Sequence, residues 1–261
     1  MHPLPNTFNM NRILAAFMFF TRLPFWRIKQ VPAECFKHVV NYWSFAGWLT
    51  GGIMALVYYL TAMVLPLEMA VIMALISRLL VTGALHEDGL ADFCDGFGGG
   101  RERSQILTIM KDSHIGSYGV IGLICYFLSI YVLISNLPFQ IACIALVTGD
   151  AWSKFVASNI INFLPYARKE EESKARTVYE RMHFHEFLLA MIGGCFWMVF
   201  LMPINYWVAC LLPVFAFFIL IGFMRKKLQG YTGDCCGATF LICELTFYIG
   251  LHIAISQISI L

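Results

Sequence analysis

At 261 residues, 59% of them hydrophobic and only 13% charged, the chain is far greasier than a soluble domain, where about a quarter of residues are charged. A mean hydropathy of +0.72 points to a bilayer, and a net charge of +2 is too small to suggest nucleic acid as a partner. The nine cysteines are scattered through apolar stretches without a C-x-x-C pair, which argues against a zinc ribbon or disulfide framework and leaves most of them as buried small hydrophobes.

In chain order, the apolar stretch Asn9–Phe20 comes first. At about 12 residues it is shorter than the roughly 20 needed to span, and "TRLPFWRIK" follows it where a signal peptide would have small residues. It reads as an interfacial helix within an N-terminal segment, 1–38. Runs long enough to cross then appear at 39–64, 66–85, 115–136, 138–161, 186–203, 205–224 and 238–260. The first and second, and the fifth and sixth, are so closely spaced that they read as helical hairpins. Period-2 alternation is missing, which excludes a membrane β-barrel. The expected fold is therefore all-α: one membrane-embedded domain, 1–261, with about seven transmembrane helices and loops at 86–114, 162–185 and 225–237.

The basic residues orient these spans. Sixteen of the eighteen Lys and Arg fall before the first span or in those three loops, and the short loops around Leu65, Asn136–Leu137 and Ile204 have none. The positive-inside rule makes the N-terminus and the three long loops cytoplasmic. The two exceptions, Arg78 and Lys154, lie toward the cytoplasmic ends of their spans, where they are expected to snorkel.

The first long loop opens with "ALHEDGLADFCDGFGGG", 84–100. Isolated charges at membrane depth cost about 2.5–3.5 kcal/mol each on insertion scales, so this cluster belongs at a watered level or around a cation. Asp88, Asp92 and Asp95 are spaced i, i+4, i+7, which puts them on one face if the segment is helical. Three stacked carboxylates repel unless a cation sits among them, and oxygen ligands favour Mg²⁺, Mn²⁺ or Ca²⁺ over zinc. The alternative is a solvated acidic loop that balances Arg101, Arg103 and Lys111. An H-E-x-x-H zinc site fails, because the second ligand would fall on Leu90.

The "GGG" that follows serves equally as hinge or phosphate loop, no G-K-[ST] being present. In "ILTIMKDSHIGSYG", 106–119, a short interfacial helix leads to Lys111, Asp112, Ser113 and His114 at the mouth of the third span. Further polar islands lie at the same level: Asp150 with Lys154, "PYAR" at 165–168, and "GYTGDCCGA" at 230–238 before the last span, which carries Glu244. Glu244 reads either as half of a buried Glu–Lys pair or as a site residue, and Asp234 as a ligand or phosphate-site residue. His183 and His185 are expected at the surface.

Five stretches in this order resemble the cobalamin synthase family, the adenosylcobinamide-GDP ribazoletransferases: "FFTRLP" (19–24), "HEDGLADFCDG" (86–96), "IMKDSHIGSYG" (109–119), "PYAR" (165–168) and "GYTGDCCGA" with Glu244. Two departures stand out. The family typically has Ser-Arg where this chain has Ser153-Lys154, which keeps charge but loses a bidentate fork. A Gly-Leu-Gly often follows "YAR" where this chain reads "EEESK". The acidic motif also looks like that of the CDP-alcohol phosphotransferases, though their D-G-x-x-A-R arginine is missing.

The resemblance implies a multi-pass enzyme of a bacterial or archaeal cytoplasmic membrane. In it a hydroxyl of α-ribazole, or of its 5′-phosphate, attacks the diphosphate of adenosylcobinamide-GDP and GMP leaves. It further implies one or two Mg²⁺ ions, Mn²⁺ being a substitute, with Asp88, Asp92 and Asp95 as ligands. Arg22, Lys111, Lys154 and Arg168 would be cationic clamps, with Asp234 and Glu244 also binding substrate, and His86, Asp95 or Asp112 would take the hydroxyl proton. Membrane lipid is the expected surrounding, and a homo-oligomer or contact with other late cobalamin-pathway enzymes is compatible with this reading. A cation transporter would instead place acidic residues at mid-bilayer, often within inverted repeats, and neither pattern is found. A purely structural membrane protein has no need of the five islands.

Topology is the direct test. Introduced-cysteine labelling is expected to find 97–105, 168–180 and 226–234 cytoplasmic and the C-terminus across the membrane; a cytoplasmic C-terminus would mean one span fewer or more.

Overall fold

The computed structural model describes residues 10–168 and 179–258; Lys169, Lys174, Arg176 and the "EEESK" stretch at 170–174 lie outside the described residues. The described residues form α1 (Met10–Phe20), α2 (Trp43–Ala62), α3 (Leu67–Thr82), α4 (Leu85–Gly99), α5 (Arg103–Ile109), α6 (Ser117–Ser135), α7 (Phe139–Ser158), α8 (Ile160–Phe163), α9 (Phe184–Leu201), α10 (Leu211–Lys227) and α11 (Gly233–Ile258). Among them the only strand-like pairing is an isolated parallel bridge between Tyr166 and Tyr231.

Six helical stretches are long and apolar enough to cross a membrane: Ala33–Ala62, Ser117–Ser135, Phe139–Phe163, Phe184–Leu201, Ile204–Lys227 and Gly233–Gln257. Helices α3 and α4 qualify only as a pair, bent by 91°. The chain is thus a multi-pass, all-α membrane protein with the shorter helix α1 at its N-terminal side. The stretches 139–163 and 233–257 are 72% and 61% buried, against 22% for 117–135, so α7 and α11 form the axis of the bundle. The outer helices turn Leu128, Phe200, Phe215 and Phe218 outward, as an apolar solvent requires.

Three expectations change here. The acidic motif, expected to open a loop at 86–114, is instead a helix set off from the second span: α3 ends at Gly83 (φ +68°) and Ala84 (φ +57°), two consecutive left-handed residues that swing the chain through the bend. Ala84 bears a Cβ in that conformation at a cost of roughly 1–2 kcal/mol. The expected hairpin of fifth and sixth spans does not form as a packed pair, because a 3₁₀ segment, Ile204–Cys210, separates α9 from α10. Instead α9 packs on α7 and α10 on α11, while α2 and α3 do make the first hairpin. Finally, Arg78 and Lys154 do not snorkel. Both are at most 1% exposed and ion-paired inside the bundle.

After the bend, α4 crosses the start of α11 at very short range. A Cβ on Gly89 would lie 2.9 Å from the Asp234 carbonyl oxygen, and one on Gly237 would lie 3.1 Å from that of His86. Gly89→Ala is therefore expected to separate the two helices and destabilise the protein by about 1–3 kcal/mol, measured by thermal unfolding in detergent. Gly222→Ala in α10, where a Cβ meets open space, is expected to be neutral or stabilising by up to about 1 kcal/mol through helix propensity.

Candidate active site

The crossing of α4 and α11 brings together motifs nearly 150 positions apart. His86 and Asp88 from α4, Asp234 from the first turn of α11, and Arg168 line one cleft. Its remaining wall is largely aromatic, with Phe19, Phe20, Trp43, Tyr166 and Tyr179. The "PYAR" segment is held against the "GYTGD" segment by backbone hydrogen bonds, Ala167 N–H to the Tyr231 carbonyl at 2.8 Å and Tyr231 N–H to that of Pro165 at 3.0 Å. Arg103 adds two more, donating to the carbonyls of Leu228 (2.9 Å) and Ala167 (2.7 Å). Tyr166 lies within the "PYAR" stretch and Arg103 reads in the sequence only as a balancing charge, while nothing in the sequence marks Tyr179.

Arg168 is mostly buried and donates to the Leu107 carbonyl at 3.2 Å. It also lines an adjoining hollow with Lys111 and Asp112, so the expected cations 111 and 168 share one surface. The Asp112 carboxyl is held below the usual carboxylate range by the backbone N–H of His114 and then by its ring. An acid so readily ionised is a weak proton acceptor near neutrality. Arg22 sits at the α3–α4 corner: its backbone N–H donates to Val81 and its guanidinium lies over Gly83, where a Cβ would have no room.

His86 is enclosed by aromatic rings, with Trp43 at 5.4 Å and Phe240 at 4.9 Å, and its Nε2 is buried without a hydrogen-bond partner. Asp88 is exposed at the cleft, and Asp92, one turn on, is half-buried. These hard-oxygen donors suit a divalent ion. Among the described residues, however, no three His, Cys, Asp or Glu side chains gather closely enough to hold a metal ion unaided, so phosphate oxygens would have to complete such a site.

Three of the sequence-derived site residues do other work. Asp95, expected as the third ligand, spends both oxygens on backbone N–H groups, those of Gly116 at 2.7 Å and Gly119 at 2.8 Å. It caps the N-terminus of α6 from a neighbouring helix, and the glycines let it approach: a Cβ on either would be 2.4 Å from its carboxylate. Lys154 is fully buried and bonded to Asp150 and Thr50, not to the cleft. Glu244 is fully buried and held by Arg78 and Tyr126. Its partner is thus an arginine rather than a lysine. His183 is exposed, as expected, and forms a capping box with Glu186 at the start of α9.

A bundle of membrane helices that turns a helix bearing carboxylates and a buried histidine across its end, against an arginine, is a multi-pass membrane protein with a polar cleft at the end of its bundle. The family model for cobalamin-5-phosphate synthase matches residues 12–252. An adenosylcobinamide-GDP ribazoletransferase of Shewanella amazonensis is 38% identical over 248 residues, covering 94% of this chain and 95% of the relative. One from Leptospira interrogans is 34% identical over 259 residues, covering 95% and 97%. The chain belongs to the cobalamin-5-phosphate synthase family, among the transferases of cobalamin biosynthesis. No solved structure matches.

The cap on α6 has a measurable consequence. Asp95→Asn can accept only one of the two N–H groups and loses the charge that faces the helix dipole. It is expected to lower stability by about 1–3 kcal/mol, read from thermal unfolding without ligand. A pure ligand role would leave ligand-free stability unchanged or raise it.

Proposed function

We propose that this chain is an adenosylcobinamide-GDP ribazoletransferase, working at the cytoplasmic side of its membrane. A hydroxyl of α-ribazole, or of its 5′-phosphate, attacks the cobinamide-linked phosphorus of adenosylcobinamide-GDP. The new P–O bond forms, the bond to the second phosphate breaks, and GMP leaves; the product is adenosylcobalamin or its 5′-phosphate. The observation that carries this reading is the meeting of Asp88, Asp234, Arg168 and His86 in one cleft, in a chain whose relatives bear that name.

Asp88, Asp92 and Asp234 are the oxygen donors available to one or two Mg²⁺ ions, completed by diphosphate oxygens; Asp234 takes the place first expected of Asp95. The ion, when bound, neutralises charge on the diphosphate. Arg168 and Lys111 supply charge-assisted hydrogen bonds to its non-bridging oxygens. The aromatic wall offers stacking faces for a planar base. Of the three groups first considered for the hydroxyl proton, Asp95 is engaged with α6 and Asp112 is a weak acceptor. That leaves His86, which lines the cleft with its Nε2 buried and without a hydrogen-bond partner.

The decisive assay is GMP release by purified protein from adenosylcobinamide-GDP, dependent on α-ribazole and Mg²⁺; no release overturns the reading. Within it, Asp92→Asn is expected to abolish turnover, or to leave activity that higher Mg²⁺ or Mn²⁺ rescues, while the protein still extracts normally. Arg168→Ala is expected to lower kcat/KM by an amount on the order of 2–4 kcal/mol. Glu87→Gln tests a different role, because Glu87 is a buried partner of Arg78.

A further inference from the structure

Behind the cleft lies an ionic cluster that the proposed reaction does not use. Arg78 of α3 is 1% exposed; both terminal nitrogens of its fork are matched, while its Nε is buried without a hydrogen-bond partner. One terminal nitrogen, Nη1, donates to both oxygens of Glu244 on α11, at 2.6 and 2.7 Å. The other, Nη2, reaches Glu87 of α4 at 3.3 Å and the Tyr126 hydroxyl of α6 at 2.7 Å. Tyr126 in turn donates to Glu244 at 2.6 Å. One guanidinium therefore ties three other helices to α3, and two of them, α4 and α11, carry the cleft carboxylates.

Stability alone does not account for this cluster. Taking charges out of water costs several kcal/mol per ion, and well-packed apolar residues of similar volume are often as stable or more so. What apolar packing lacks is direction. Helices α4 and α11 pack closely around Gly89 and Gly237, and these glycine contacts are one constraint on their crossing angle. Arg78 supplies a second: it holds Glu87, the residue beside Asp88, to Glu244, ten residues or about 15 Å along α11 from Asp234. A directional tie away from the close contact holds the angle more tightly than packing alone does.

We infer that Arg78 is a positioning residue: by holding Glu87 and Glu244 on one guanidinium it sets the angle at which Asp88 and Asp234 face each other, and so the uptake of a divalent cation with a diphosphate. This rests on the reading of the cleft given above. Lysine at position 78 keeps the charge and loses the fork.

The test uses the full chain in detergent, with Mn²⁺ and GDP as probes, Mn²⁺ binding being followed by electron paramagnetic resonance. Arg78→Lys, still folded by circular dichroism, is expected to bind Mn²⁺–GDP about 10–100-fold more weakly, the range for losing a partner that orients metal ligands. Raised Mg²⁺ is expected to restore most of its kcat. A merely structural role would lower the unfolding temperature and leave the affinity of the folded protein unchanged. If Arg78→Lys does not fold, Tyr126→Phe removes one hydroxyl from the same cluster at nearly constant volume, with an expected loss of about threefold. Wild-type affinity in whichever variant folds, or a wild type that does not bind Mn²⁺–GDP, overturns the inference. A wild type that binds Mn²⁺–GDP with the expected dependence on Arg78 but releases no GMP from adenosylcobinamide-GDP overturns only the reaction, and the positioning role stands.

Discussion

Carboxylates in a membrane bundle have two tolerable fates, water or a partner, and consecutive residues of α4 meet both. Glu87 turns inward to Arg78, and Asp88 turns outward into the cleft. The left-handed corner at Gly83 and Ala84 makes that division feasible, because it lays a charged helix across the end of the bundle instead of extending it along α3. With α4 across the end, α11 can reach it with its first turn, α6 can be capped by it through Asp95, and the "PYAR" segment can close over the crossing.

Much of this was legible in the sequence. All seven apolar runs became helices, because span length and apolarity are local properties that a bilayer leaves little room to override. The acidic motif, read as the start of a loop whose carboxylates would share a face if helical, is a helix, and the polar islands around Asp88, Arg168 and Asp234 converge on one cleft. What could not be read was the partner of each charge. Arg78 and Glu244 are 166 positions apart, and whether a charge near a span end snorkels or pairs depends on which helices stand beside it. Lys154 has its partner at i−4, within reach of a sequence reading, yet its complete burial follows only from the central place of α7. Asp95 shows the same limit. Its spacing matched a ligand face, while its use was decided by the N-terminus of α6, which offers no side-chain cap of its own.

The family assignment and the cleft support each other from different directions. Similarity runs over nearly the whole chain, so it does not by itself single out a site. In the structure, the motifs that end at the α4–α11 crossing put side chains into one cleft, and those that end on Lys154 and Glu244 build the bundle beneath it.

The span between Arg78 and Glu244 also bears on how the protein is made. A ribosome adding 5–20 residues per second needs roughly 10–30 s to travel from one to the other, and α11 follows α3, α4 and α6 in the chain. Throughout that interval Arg78 has Glu87, and later Tyr126, but not the carboxylate it will bond most closely. The acidic helix therefore gains its last tie only when α11 arrives, and a chain truncated before α11 would leave Arg78 without the carboxylate it bonds most closely.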